Sequence, residues 1–280
     1  MENHIFDSHC HIQFPAYATD REAVIERAID SGIKMIAVGT QKSTSIEAIN
    51  LAKKYPNIIF ATIGFHPNHL SENWHHDKNE QGENQKEVFN YQDFNKLAAE
   101  KEVIAIGECG LDYYRSSKDK ILANTEQENQ KEVFIQQIEI AEIARKPLMI
   151  HSRPSNKSSD AYLDSLDILK KTKFSLSVIF HFYVGGIEIT QKLVEFGANF
   201  TFGGVITFSH DYDEVIRSIP IDRILIETDA PYVAPMSNRG KRNEPAFILE
   251  TYKKIAELKG ISYDEVIGIV GQNVKRIFNI

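Results

Sequence analysis

A chain of 280 residues with 42% hydrophobic and 25% charged residues has the composition of a globular protein with a large core. Its formal net charge of −7 argues against nucleic-acid binding through bulk positive charge, although a local basic patch can still bind phosphate. The sequence has no membrane-spanning apolar run, no signal-peptide pattern and only two cysteines. We therefore expect a cytoplasmic protein without membrane contact or disulfide scaffold, and the sequence indicates no protein partner.

Short apolar runs alternate with longer amphipathic stretches along the chain, which is typical of repeated βα units. The predicted strands are Ile5–His9, Lys34–Gly39, Ile58–Gly64, Val103–Gly107, Leu148–His151, Leu176–His181, Asn199–Gly203 and Arg223–Glu227. The predicted helices are Asp20–Ser31, Thr44–Lys54, Tyr91–Glu100, Glu126–Arg145, Tyr162–Lys171, Ile187–Phe196, Asp211–Ile219, Pro245–Lys259 and Tyr263–Phe278. This pattern favours an α/β fold, a single-domain (β/α)8 TIM barrel over residues 1–280. The first strand lacks the glycine-rich fingerprint of an open dinucleotide-binding sheet.

Residues 72–90 are polar and contain few apolar side chains. We predict that they form a surface excursion between the third strand and its helix. His75 and His76 lie within this segment, and we interpret them as solvated loop histidines.

The first strand ends in Phe6-Asp7-Ser8-His9-Cys10-His11. Residues i and i+2 of a strand point the same way, so His9 and His11 would present two imidazoles suited to one metal ion. Two histidines this close also occur in ordinary strands, and the pair alone does not define a metal site. Cys10 would point the opposite way, and we expect it to fill the core, as we do for Cys109.

Other ligand-type side chains follow other predicted strands, namely Glu108, His151, His181 and Asp229. The C-terminal ends of barrel strands meet at one pole, where these groups would converge with the two histidines of the first strand. Burying carboxylates side by side is costly without a cation, and this set is about what two divalent ions need. Two such ions, Mg, Mn or Zn, would supply a metal-activated hydroxide for hydrolysis.

Several short motifs surround these candidate ligands. They are Gly64-Phe65-His66-Pro67, Gly107-Glu108-Cys109-Gly110-Leu111-Asp112-Tyr113-Tyr114, His151-Ser152-Arg153, Glu227-Thr228-Asp229-Ala230-Pro231-Tyr232 and Arg239-Gly240-Lys241-Arg242-Asn243-Glu244-Pro245. Together with the histidines of the first strand, and in this order from Phe6 to about Asn279, they resemble the TatD family of metal-dependent deoxyribonucleases. That family is a branch of the amidohydrolase superfamily of barrel enzymes.

The resemblance implies roles for the candidate ligands. His9, His11 and Asp229 correspond to the ligands of a first metal, and His151 and His181 to those of a second. Glu108 corresponds to the glutamate that bridges the metals, where other barrels of the superfamily use a carboxylated lysine. Glu108 and Asp229 are therefore the candidate catalytic residues.

The chain departs from the family pattern at two places. Phe182-Tyr183-Val184-Gly185 stands where the family usually has Cys-Phe-Ser-Gly after its sixth-strand histidine. Pro154 and the polar run Ser155–Asp160 stand where a small residue usually follows. Neither departure removes a ligand, but we expect both to alter the wall of the substrate pocket.

Basic residues near the ligands are candidates for phosphate binding. Arg153 lies two residues past a ligand, and Arg239, Lys241 and Arg242 form a cluster after Asp229. A basic loop can seat a phosphodiester against metal ions, although the cluster could equally be a solvated loop.

Three further residues complete the predicted site. His66 could contact substrate or cap its strand, and we predict substrate contact. Asp112 and Tyr113 are predicted to hold the loop of Glu108 in shape.

The sequence therefore predicts a metal-dependent deoxyribonuclease whose partner is DNA. A site in the mouth of a barrel admits an unpaired end more easily than a duplex, and with the TatD resemblance this indicates a 3′–5′ exonuclease on single-stranded ends. One alternative is an amidohydrolase-type enzyme acting on an amide or ester, such as an aminoacyl-tRNA or a nucleotide conjugate. The non-enzymatic alternative is a barrel that retains metal and serves as a binding or scaffold protein.

Overall fold

The computed structural model describes residues 4–71, 77–80 and 86–280. Within these ranges eight parallel strands pair in chain order, so each strand lies beside the strand that precedes it. The strands are β1 (Ile5–Cys10), β2 (Ile33–Val38), β3 (Ile59–Ile63), β4 (Val103–Asp112), β5 (Leu148–Arg153), β6 (Val178–Phe180), β7 (Asn199–Phe202) and β8 (Ile224–Ile226). The helices are α1 (Arg21–Asp30), α2 (Lys42–Lys54), α3 (Tyr91–Leu97), α4 (Lys120–Ala144), α5 (Asp160–Thr172), α6 (Ile187–Phe196), α7 (Asp213–Ser218), α8 (Ile248–Lys259) and α9 (Tyr263–Phe278).

Hydrogen bonds join the two ends of the sheet. The Asp229 N–H donates to the His9 carbonyl at 2.9 Å. The carboxyl group of Asp7, buried in β1, accepts from the Thr228 N–H at 3.0 Å and from the Thr228 hydroxyl at 2.6 Å. These contacts hold β1 against the end of β8 and nearly close the barrel, which confirms the predicted (β/α)8 fold.

The strands are almost continuous apolar runs because helices cover the outside of the sheet and side chains fill its inside. All ten residues of β4 are buried. Helix α9 packs on β1 and β8 and begins at a capping box in which Ser262 and Glu265 bond each other's main-chain N–H. Cys10 and Cys109 are free thiols and lie in the core, as expected.

Helix α4 begins at Lys120, earlier than the predicted Glu126. The Asp119 carboxylate caps it by accepting from the N–H groups of Ile121 and Leu122. Its first turn exposes apolar side chains, so the sequence lacks the periodicity that would mark a helix there. Although α4 is 25 residues long, neither it nor any other helix in the described ranges is apolar enough to span a bilayer.

Part of the polar segment 72–90 packs against the barrel. His75 and His76 lie outside the described residues. Residues 77–80, by contrast, form a turn whose Glu80 carboxylate accepts hydrogen bonds from Thr40 and His69. The described part of this excursion therefore belongs to the mouth of the barrel.

Two buried glutamines of α4 fix the ends of β3 and β4. Gln137 accepts from the Phe65 N–H at 2.8 Å and donates to the Phe65 carbonyl at 3.1 Å. Gln130 makes the same pair of bonds to Asp112, at 2.8 and 3.1 Å. The two side chains lie two helical turns apart on one face. They satisfy main-chain groups where the strands end, and so position Asp112 and the neighbouring His66.

We predict that Gln137→Met lowers the free energy of unfolding by about 2 kcal/mol, because it leaves a buried main-chain N–H and C=O without partners. Urea denaturation monitored by circular dichroism measures the change. Gln136→Met, on the half-buried position beside it, serves as the control and should change stability by less than about 0.5 kcal/mol. Equal losses in the two variants would contradict the positioning role of Gln137.

Candidate metal centre

A bulge in β4 turns Glu108 into the barrel. The strand continues past its predicted end at Gly107, and its register with β5 shifts between Ile106 and Cys109. Gly107 has a φ of +152°, and a Cβ at this position would lie 2.3 Å from the Met149 carbonyl oxygen. Glycine alone fits this approach, which explains the residue type that precedes the glutamate.

One oxygen of the Glu108 carboxylate faces the two histidines of β1. Glu108 Oε2 lies 3.5 Å from His9 Nε2 and 3.7 Å from His11 Nε2. Asp229 Oδ1 faces the same two nitrogens at 3.7 and 3.4 Å, and the nitrogens are 3.2 Å apart. We call these four residues the first group.

The other oxygen of Glu108 faces histidines from β5 and from the segments that follow β3 and β6. Glu108 Oε1 lies 2.9 Å from His151 Nδ1 and 2.7 Å from His181 Nε2. His66 Nε2 is 3.1 Å from the same oxygen, so a residue predicted only to contact substrate is also a candidate ligand. We call these four residues the second group. The structure thus brings the six predicted ligands together in two adjoining groups that share Glu108.

The donor atoms of the first group have the spacing that a tetrahedral divalent ion needs. Ligand atoms around a tetrahedral ion with metal–ligand distances of about 2.1 Å lie roughly 3.4 Å apart. The first group has spacings of 3.2–3.7 Å, which match this value. The second group is tighter, at 2.7–3.3 Å. Imidazole nitrogens with carboxylate oxygens are also a donor set that Zn²⁺ and related divalent ions accept.

Burial and charge act in opposite directions on Glu108. Burial alone would raise the pKa of this carboxyl group, but the charge of His181 and hydrogen bonds from His151 and His181 hold the pKa well below its usual value. Burial lowers the pKa of His66 to about 4, so this ring is neutral near pH 7. At His11, His151 and His181 burial acts to lower the pKa, but neighbouring carboxylates outweigh it and raise the pKa. A metal ion that binds these imidazoles would therefore displace protons from them.

Two further carboxylates lie beside imidazoles of the second group. Asp112 Oδ2 lies 3.1 Å from the outer nitrogen of His151. Glu227 is fully buried, accepts from the Phe182 N–H at 2.8 Å, and lies 3.7 Å from His181 Nδ1. A carboxylate bonded to the outer nitrogen of a histidine, as Asp112 is to His151, fixes the ring orientation and increases its basicity. Glu227, at 3.7 Å, places a negative charge near His181 without a hydrogen bond.

These supporting residues differ from the predicted ones. Asp112 was predicted to hold the loop of Glu108 in shape. Its carboxylate accepts from the Arg115 N–H of that loop at 3.2 Å, and it also orients His151. Tyr113 instead donates its hydroxyl hydrogen to Asp164 of α5 at 2.8 Å, away from Glu108. The sequence reasoning missed Glu227, whose signal is an acidic side chain directly after the buried run of β8.

A cavity of about 520 Å³ opens above the two groups. Arg153 lines it, and so does Arg115, which the sequence reasoning missed. The Arg153 guanidinium stacks on the Tyr114 ring at 4.0 Å. Arg115 Nη1 donates to the Asn68 side-chain oxygen at 2.6 Å, in the amide orientation that also lets Asn68 donate to Asp112. Two cations therefore face the cavity from the ends of β4 and β5.

The other predicted basic residues lie outside this cavity. Arg242 makes two hydrogen bonds to Asp20, at 2.9 and 2.6 Å. Arg239 stacks on the Phe208 ring at 3.8 Å, and Lys241 is exposed. The phosphate-binding site expected at this cluster therefore does not lie in the cavity. The side chains of Arg242 and Arg239 contact residues of neighbouring loops instead.

Of the two departures from the family pattern, one reaches the cavity. Phe182 and Val184 line it, so the changed sequence after His181 does alter the pocket wall. Pro154 and residues 155–160 do not line it, since the latter lead into α5. There the Ser155 hydroxyl donates to Asp160 at 2.5 Å.

Buried imidazoles and carboxylates below a cavity, at the C-terminal pole of a parallel barrel, define the class of metal-dependent hydrolases.

The model of the family described as TatD related DNase matches residues 6–279. The chain is 34% identical to an uncharacterized metal-dependent hydrolase of Bacillus subtilis, YabD, over 99% of both chains. It is 30% identical to the putative deoxyribonuclease tatdn3 of Danio rerio, over 100% of this chain and 98% of that one. Among solved structures it is similar to YjjV, a TatD homolog from Escherichia coli, with a TM-score of 0.83 and 24% identity over 100% of both chains. The chain belongs to the TatD-related DNase family and is a metal-dependent hydrolase.

We predict that Asp112→Asn lowers kcat by about 10–100-fold, because His151 loses the carboxylate that orients its ring. The measurements are kcat on an aryl phosphodiester and metal content after dialysis, which should also fall. Tyr113→Phe, which removes only the neighbouring hydroxyl that donates to Asp164 of α5, should leave both values unchanged. Wild-type kcat and metal content in Asp112→Asn would show that the carboxylate does not support the metal centre.

Proposed function

We propose that the protein is a deoxyribonuclease that uses two divalent metal ions to remove mononucleotides from the 3′ end of single-stranded DNA. The observation that carries this proposal is that Arg115 and Arg153 face the same cavity as Glu108. Guanidinium groups bind phosphate oxygens through charge-assisted hydrogen bonds, so a phosphodiester held by them would lie over the two groups. The name of the relative tatdn3 and the description of the family also support DNA as the substrate.

The two groups would hold one ion each, with the Glu108 carboxylate shared between them. When bound, such ions lower the pKa of water and neutralise charge on the phosphate oxygens. Glu108 has both oxygens engaged, and we assign it the task of fixing the separation of the groups. Asp229 is the more exposed carboxylate, at 16% of its side chain against 4% for Glu108, and we assign it proton acceptance from the attacking water.

The shape of the site favours a single strand. Its volume of about 520 Å³ lies in the range of pockets that hold one small ligand, and extruding a nucleotide from duplex costs a few kcal/mol. Tyr114 is 57% exposed beside Arg153. Its ring offers a surface on which a base outside the cavity can stack, a contact worth about 1–3 kcal/mol.

We predict that Arg153→Gln raises KM for single-stranded DNA about tenfold, the loss expected for one hydrogen bond to a charged group. The slope of log affinity against log salt should become shallower by about 0.7, since one phosphate contact is lost. Arg239→Gln is the matched control, because that guanidinium also stacks on an aromatic ring but lies outside the cavity.

The same two variants also separate the substrate classes. A small neutral ester should show little change in KM on Arg153→Gln if the arginine binds phosphate. Equal losses on the ester and on DNA would instead indicate a damaged site. Efficient ester hydrolysis by wild type with no attack on DNA would favour the amide or ester alternative.

The exonuclease mode predicts that linear single-stranded DNA is degraded and that a single-stranded circle of the same sequence resists. A strand that enters by its end can place its terminal nucleotide in the cavity, whereas a circle cannot. Denaturing gels of DNA labelled at its 5′ end should show stepwise shortening from the 3′ end. Glu108→Gln controls for contaminating nuclease, and circles cut as fast as linear strands would overturn the exonuclease mode.

A further inference from the structure

Residues 77–80 form a turn that is anchored over the mouth of the barrel at several points. The Tyr232 hydroxyl donates to Asp77 Oδ2 at 2.8 Å. Glu80 Oε1 accepts from the Thr40 hydroxyl at 2.5 Å and from His69 Nε2 at 2.8 Å. The loops after β8, β2 and β3 therefore all hold this turn in place.

The turn contributes two carboxylates, Asp77 and Glu80, to the lining of the cavity. We call this pair the acidic wall. Burial alone would raise the pKa of Glu80, but hydrogen bonds and charge from His69 hold it below its usual value, so the carboxylate is ionised near pH 7. Burial and the charges of Asp77 and Glu80 raise the pKa of the Tyr232 hydroxyl, which donates to Asp77.

The acidic wall and the two cavity arginines lie on different sides of the barrel mouth. Arg115 and Arg153 follow β4 and β5, whereas the contacts of the wall come from loops after β8, β2 and β3. The strands follow chain order around the barrel, so Asp77, bonded to the loop after β8, lies across the mouth from β4 and β5. Glu80, bonded to the loops after β2 and β3, lies between that position and the β4 side. The part of the cavity beside β4 and β5 therefore attracts a phosphate, and the part lined by Asp77 and Glu80 repels one.

We propose that Asp77 and Glu80 are specificity-determining residues that limit the cavity to one phosphate group. This inference rests on the proposed function and names its substrate more closely: a chain end whose terminal sugar carries a free hydroxyl. With the scissile phosphate at the arginines, the far end of the terminal nucleotide faces the acidic wall. A hydroxyl there can donate a hydrogen bond to a carboxylate, whereas a terminal phosphate meets charges of its own sign.

The test compares two single-stranded oligonucleotides of one sequence, ending in a 3′-hydroxyl or in a 3′-phosphate. Wild type should degrade the hydroxyl end at least about tenfold faster, because like charges brought together in a binding site are strongly disfavoured. The double variant Asp77→Asn, Glu80→Gln should reduce this ratio to about twofold. Equal rates on both ends in wild type, or an unchanged ratio in the double variant, would overturn the acidic wall.

Two further variants keep the comparison interpretable. Asp93→Asn removes the same charge from an exposed ion pair with Lys42 and should leave the ratio at its wild-type value. Asp77→Asn alone leaves the bonds of Glu80 intact and should give a partial loss of selectivity, even if the double variant does not fold. A drop in the ratio for Asp93→Asn equal to that of the double variant would show that net charge, and not the acidic wall, sets the preference.

Nucleotide binding separates failure of this inference from failure of the proposed function. Calorimetry in the presence of Mg²⁺ should show that wild type binds thymidine 5′-monophosphate more tightly than thymidine 3′,5′-bisphosphate, and that the double variant loses this preference. If the protein shows this binding pattern but degrades no DNA, the role of the acidic wall stands and the proposed nuclease activity is overturned. If it degrades DNA equally from 3′-hydroxyl and 3′-phosphate ends, the nuclease activity stands and the role of the acidic wall is overturned.

Discussion

The buried carboxylate of Glu108 is the group on which the rest of the site depends. A charge inside a barrel loses its hydration, at a cost of several kcal/mol, unless partners surround it. Here the partners are five imidazoles within 3.7 Å, those of His9, His11, His66, His151 and His181. They come from β5 and from the C-terminal ends of β1, β3 and β6 or the residues that follow them, so one side chain of β4 couples four other parts of the barrel. The two oxygens also divide the imidazoles into two groups, which is the arrangement that a shared metal ligand needs.

The polar face of α4 makes this arrangement rigid. Chain segments that leave a sheet lose their ladder partners, and their buried N–H and C=O groups must bond elsewhere. Gln130 and Gln137 supply those bonds at Asp112 and Phe65. One turn before Gln130, Glu126 accepts from the Ser71 hydroxyl and the Ser117 N–H. A single helix therefore holds the loops that carry His66 and Arg115 through side chains that never touch the cavity.

The number and order of the elements could be predicted from the sequence because apolar runs and amphipathic stretches alternate regularly. The candidate ligands could be located because a polar residue that ends a buried strand is a local signal. The bulge at Glu108 could not be read, since it depends on how closely Gly107 approaches β5. The ion pair of Arg242 with Asp20 could not be predicted either, because the two residues lie 222 positions apart in the chain. Sequence reasoning thus located ligands by strand and failed where a loop contact decides the role of a side chain.

Contacts between loops also decide which arginine side chains can bind a phosphate in the cavity. Arg242 has its charge offset by Asp20, and Arg27 by Glu244 at 2.6 Å. Within the part of the chain that the structure describes, the guanidiniums of Arg115 and Arg153 contact neutral groups, an amide and an aromatic ring. Their positions are fixed without neutralising their charge. A protein with a net charge of −7 can therefore present positive charge to a phosphate at one place, since local pairing and not composition decides which cations remain available.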